Sequence, residues 1–115
     1  SEPNRADFRF QDTNTDYRYR GDRELKPRNA FDDGVKTWFR FEGDIPSLFI
    51  VEGGKREVIA NFRREGEYIV VDKIARQWML RRGASALCLF NLRTIGPDER
   101  PAAAASGASS VSRIN

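Results

Sequence analysis

The segment Val35-Lys-Thr-Trp-Phe-Arg-Phe41 alternates with period two. Val35, Thr37, Phe39 and Phe41 share one face, and Lys36, Trp38 and Arg40 share the other. A strand with one buried face sorts residues this way and a helix does not. Tyr17 and Tyr19 alternate with Arg18 and Arg20 in the same manner. Leu48–Val51 and Tyr68–Val71 are short apolar runs, β-branched or aromatic, of strand length. Glu57–Phe62 and Ala86–Asn91 are further candidates. Lys73–Leu80 fits either period, because Ile74 and Trp78 are four apart while Ile74, Arg76, Trp78 and Leu80 alternate. We read it as a short turn to Arg76 and a strand from Gln77.

Turn chemistry separates these runs. Asp32-Asp33-Gly34 forms a tight turn in which Gly34 can take positive φ. Gly53–Arg56, Arg64–Gly66 and Arg82–Ser85 link further strands. Strand signals every eight to twelve residues predict an all-β fold, a small antiparallel β-sandwich of about eight short strands. At 115 residues the chain has room for one modest core. Residues 1–15 are expected to be a flexible arm or linker, 16–92 the β-sandwich binding domain, and 93–115 a disordered Ala/Ser-rich tail. The four Ala after Pro101 are too few for an isolated helix in water.

Composition narrows the chemistry. The chain has no His, which excludes His-dependent triads, bases and metal sites. Its single Cys, Cys88, excludes an internal disulfide and a CxxC pair. No apolar run reaches the roughly 18–20 residues of a membrane helix. Asp32, Asp33 and Asp44 lack the spacing of a calcium loop. Nothing in the spacing selects a carboxylate pair for glycoside hydrolysis from Asp32, Asp33, Glu42 and Asp44. No catalytic, metal or cofactor-binding residue is expected, and the chain reads as a non-enzyme.

The remaining candidates are surfaces. Tyr17-Arg18-Tyr19-Arg20 joins aromatic and basic residues as single-strand nucleic-acid grooves do. On a strand the Tyr pair turns inward and the Arg pair stays wet, and a net charge of +3 is small for that role. We take this first strand as a sheet edge able to accept a partner segment. The two Tyr are equally compatible with being core alone. Trp38 shares the Lys36/Arg40 face, so a partner, a second sheet or a local contact with Arg40 must cover it. Cys88 fits a small buried hydrophobe or, in an exported chain, a disulfide to another chain. Two alternatives stay open: a carbohydrate-binding module with Trp38 and Trp78 as platforms, and a single-stranded nucleic-acid binder.

Pro27 followed by Phe31-Asp32-Asp33-Gly34, then Thr37-Trp38-Phe39-Arg40-Phe41, forms a distinctive string. With Ile45–Phe49, Leu80–Gly83 and Phe90-Asn91, it resembles the C-terminal domain of the TrbG/CagX-type outer-membrane-complex protein of type IV secretion systems. The resemblance covers about Tyr17 to Asn91. It implies a β-sandwich within a longer exported protein, located in the periplasm and associated with the outer membrane. It implies as partners a small outer-membrane lipoprotein, the C-terminal domain of an envelope-spanning scaffold protein, and copies of itself in a ring. No cofactor and no direct nucleic-acid contact are implied. Tyr17, Arg18, Tyr19, Arg20 and Trp38 are the expected partner-binding residues. Cys88 is the candidate for an intermolecular disulfide.

Overall fold

A computed structural model describes residues 13–94 and 111–115. The alternating and β-branched segments become strands, and ten are formed among these residues. They are β1 (Tyr17–Gly21), β2 (Asn29–Asp32), β3 (Thr37–Arg40), β4 (Ser47–Glu52), β5 (Arg56–Ile59), β6 (Arg63–Glu65), β7 (Tyr68–Val71), β8 (Gln77–Arg82), β9 (Ser85–Asn91) and β10 (Ser112–Arg113). A 3₁₀ turn, Arg23–Leu25, follows β1. All pairings are antiparallel. One sheet runs β10-β1-β9-β8-β4-β5 and the other β2-β3-β7-β6. The expected β-sandwich is therefore the fold.

The core is built by the inward-facing half of each alternation. Tyr17 and Tyr19 in β1, Trp78 and Leu80 in β8, and Leu87 and Leu89 in β9 face Phe39 and Ile69 of the opposite sheet. Phe39 meets the indole of Trp78 edge-on, with centroids 5.0 Å apart, at the middle of the sandwich. Cross-strand register keeps these residues on one face: Tyr19 lies opposite Leu89, and Leu89 opposite Trp78. A slip by one residue would turn every one of them outward.

Several local expectations are corrected. Val35 is 65% exposed, because Asp33 turns the chain and β3 begins only at Thr37. The Asp33 carboxylate accepts from the amides of Val35 and Lys36. Gly34 takes φ +92°, as the turn requires. Arg64 and Glu65 belong to a strand, with the turn beginning after them. The strand expected over Glu57–Phe62 stops at Ile59, and Phe62 is 40% exposed. Residues 111–115 do not behave as the expected uncommitted tail. They pair with β1, and Ile114 is 5% exposed within the main core cluster. The arm and tail expectations for residues 1–12 and 95–110 lie outside the described residues.

Candidate partner-binding site

Two surfaces carry the residues singled out from sequence. The first is the outer edge of β1. Tyr17 is 1% exposed and Tyr19 8%, so their side chains belong to the core. Arg18 and Arg20 point to the other face. Arg18 lies 3.7 Å from the Asp16 carboxylate, and the Arg20 guanidinium sits over the Phe90 ring at 5.3 Å. The expected free edge is partly occupied, because β10 covers it with Arg113 opposite Arg18 and Ser112 opposite Tyr19. No strand lies beyond Arg20 and Gly21 among the described residues.

The seam between β1 and β2 is closed by the Asn115 side chain and the Asn14 backbone. Asn115 accepts from the Ala30 amide at 3.0 Å and donates to the Ala30 carbonyl at 2.6 Å and the Thr15 carbonyl at 2.9 Å. It thereby satisfies groups on the outward edge of β2 as a neighbouring strand would. Asn14 does the same for Asp32 through its backbone, at 2.7 and 3.1 Å.

Beneath this seam lies a polar hub that sequence reasoning missed. Asp32, 2% exposed, accepts on Oδ2 from Asn14 Nδ2 at 2.8 Å, the Tyr17 hydroxyl at 2.6 Å and Asn91 Nδ2 at 3.3 Å. Its Oδ1 accepts from the Gly34 amide at 3.0 Å. Asn91 adds a bond to the Ala75 carbonyl and accepts a second one from Asn14. Burial pushes the Tyr17 hydroxyl far above the ordinary tyrosine range, and the hydrogen bond and charge of Asp32 push the same way. The hub joins the turn after β2, the end of β9 and the start of β1. The Phe31-Asp32-Asp33-Gly34 string and the Phe90-Asn91 pair thus meet in space.

The second surface is the outer face of the smaller sheet. Trp38 stacks on Phe31 with centroids 5.3 Å apart and planes 12° apart, and Tyr68 meets Phe31 edge-on at 5.5 Å. Trp38 is half-buried by this packing rather than by Arg40. Arg40 is turned to Glu67, and Arg63 to Asp72 and Glu65, at the margin of the cluster. Those cations are already neutralised, which disfavours a groove for a polyanion. Trp78 is fully buried in the core, so the two Trp do not form the paired platforms of a carbohydrate site. Cys88 is half-buried on the outer face of the larger sheet, its Sγ 3.9 Å from Gln77 Nε2 and from Met79 Sδ.

A family model described as "CagX: Conjugal transfer protein" matches residues 2–92. The chain belongs to the CagX family. Among curated proteins this CagX-family chain is 39% identical over 83 residues to "Protein virB9" of Agrobacterium fabrum, covering 70% of the chain and 28% of the relative. It is 31% identical over 108 residues to "Type IV secretion system protein virB9" of Bartonella quintana, covering 92% and 37%. It is 32% identical over 69 residues to "Type IV secretion system protein PtlF" of Bordetella pertussis, covering 58% and 25%. The chain therefore spans between 25% and 37% of these relatives' lengths. Among the described residues no helix is long and apolar enough to cross a membrane.

Proposed function

We propose that this CagX-family domain is a non-enzymatic component of a type IV secretion outer-membrane core complex, located in the periplasm against the outer membrane. Its work is binding. An extended segment of a small outer-membrane lipoprotein pairs with β1, and the C-terminal domain of an envelope-spanning scaffold protein and neighbouring copies in a ring use other faces. The observation that carries this reading is the β1 edge: its pairing with β10 spans two residues, while its inner side chains are locked in the core. A rigid strand with a lightly covered edge is what strand addition requires. Backbone pairing supplies the affinity, and Arg18 and Arg20 flank the incoming strand. The aromatic face of Phe31, Trp38 and Tyr68 is the second contact, because half-exposed Trp and Tyr are the residue types that dominate interface energies. Cys88 is available to a partner thiol only from the outer face of the larger sheet.

The test is an amide chemical-shift titration of the labelled domain with a synthetic peptide from the cognate lipoprotein. Saturable shifts at Arg18–Arg20 are expected. A folded domain showing no shifts at millimolar peptide would overturn the lipoprotein assignment.

A further inference from the structure

Residues 111–115 dock on the domain with more specificity than their two-residue strand suggests. Ile114 is buried among the residues that also enclose Tyr17, Tyr19 and Leu25. Its amide donates to the Tyr17 carbonyl at 3.1 Å. Asn115 bridges from the β1 side to Ala30 of β2 through three hydrogen bonds. The segment is thus held by the burial of Ile114 in the core and by hydrogen bonds of Ile114 and Asn115 to backbone groups around β1 and β2. The strand beside it is poorly matched, because Arg18 and Arg113 are direct cross-strand partners and like charges so placed repel. No ion pair formed by Arg113 is found among the described residues.

From this pairing we infer that residues 111–115 are an exchangeable occupant of the β1–β2 seam, supplied by the chain itself, and that a partner strand must displace them to pair with β1. The inference rests on the reading of β1 as the partner's edge. Anchors at Ile114 and Asn115 hold the segment in register, while its strand pairs with β1 over two residues only and sets Arg113 opposite Arg18. An incoming strand without Arg opposite Arg18 removes that repulsion and extends pairing toward Arg20 and Gly21. The occupant keeps core residues and edge groups out of water until the partner arrives.

The test uses a synthetic peptide of residues 110–115 and chains labelled for amide shifts. The peptide is expected to saturate a chain ending at residue 110, with shifts at Tyr17–Tyr19 and Ala30. It should bind the full chain at least about tenfold more weakly, since there the site is filled intramolecularly. Full-length Ile114→Ala and Asn115→Ala variants serve if the shortened chain does not fold; both should admit the peptide. Folded shortened or variant chains that bind it no better than the full chain would overturn the inference. The cognate lipoprotein peptide is titrated in parallel. If it binds full and shortened chains equally, the partner assignment stands and the competition is disproved. If it binds neither, while the 110–115 peptide fills the shortened chain, the occupant stands and the lipoprotein assignment fails.

Discussion

The Tyr17 hydroxyl donates to the buried Asp32 carboxylate at 2.6 Å, tying the first strand of the larger sheet to the turn of the smaller one. Burial first, and then this bond and the Asp32 charge, couple the protonation of the hydroxyl to folding. The hydroxyl is held protonated in the folded state, whereas in the unfolded chain it titrates near 10.0. Its contribution is therefore complete below about pH 10 and falls as pH rises toward the much higher folded value. One unit above the unfolded value the linkage costs about 1.4 kcal/mol. Tyr17→Phe should lower stability at pH 7 by about 1.5–3 kcal/mol, the range for a hydrogen bond to a charged group. Between about pH 9 and 11 it should lose less further stability than the parent. Urea midpoints across that interval decide it, and parallel pH curves would refute it.

Asp32 and Asp33 are neighbours with opposite sensitivities. Oδ2 of Asp32 faces three donors and Oδ1 faces the Gly34 amide, so neither orientation of an Asn amide avoids setting donor against donor. Asp32→Asn should cost about 2–4 kcal/mol despite its near-identical shape. Asp33 accepts through one oxygen only, from Val35 and Lys36. An Asn oxygen performs that role, and Asp33→Asn should cost less than about 1 kcal/mol. Denaturant midpoints at unchanged m-value give both numbers.

Gly21 and Gly34 offer a second contrast. Both have positive φ, +124° and +92°. A Cβ at Gly21 would lie 2.6 Å from the Ala86 carbonyl oxygen and 2.9 Å from Leu87 Cα, whereas one at Gly34 meets nothing within 4 Å. Gly34→Ala should cost only the backbone strain, about 1–2 kcal/mol. Gly21→Ala should cost clearly more, and it should displace β1 from β9. Amide exchange along Arg20–Asp22 reads that displacement; equal melting of the two variants would contradict the steric account.

The fold was legible where side chains alternate against one core. Tyr17–Arg20 and Thr37–Phe41 declare their inward faces by alternation, whereas Trp78–Leu80, which fits either period, is settled by its register against Leu87 and Leu89. β6 was not legible, because Arg63-Arg64-Glu65 has no apolar member and is held by backbone pairing to β7 and by the Arg63–Asp72 ion pair. β10 was hidden for a related reason: Ser112-Arg113 has no strand signal, and Ile114 and Asn115 matter only once β1 and Ala30 are assembled. The hub escaped because Asp32 and Asn91 are 59 residues apart, and each alone reads as a turn residue. Tyr17 and Tyr19 were visible as inward-facing, but whether their strand was an edge depended on a segment far along the chain.

Trp38 separates a surface role from a structural one. It stacks on Phe31 on the outer face, while its neighbour Phe39 is fully buried against Trp78. Phe39→Ala should cost about 3–5 kcal/mol by opening a cavity in the core. Trp38→Ala loses one stacked pair and partial burial, about 1–2 kcal/mol, and should leave the core signals of Trp78 unchanged. If the aromatic face is a contact, the same variant should weaken assembly with the scaffold domain at least about tenfold, the effect of an interface anchor. Arg63→Ala at the margin should change it little, since rim charges contribute less than central aromatics. Binding by calorimetry, with melting as the folding control, resolves the two. A folded Trp38→Ala domain with undiminished scaffold affinity would remove this face from the proposed assembly and leave the β1 edge as its contact.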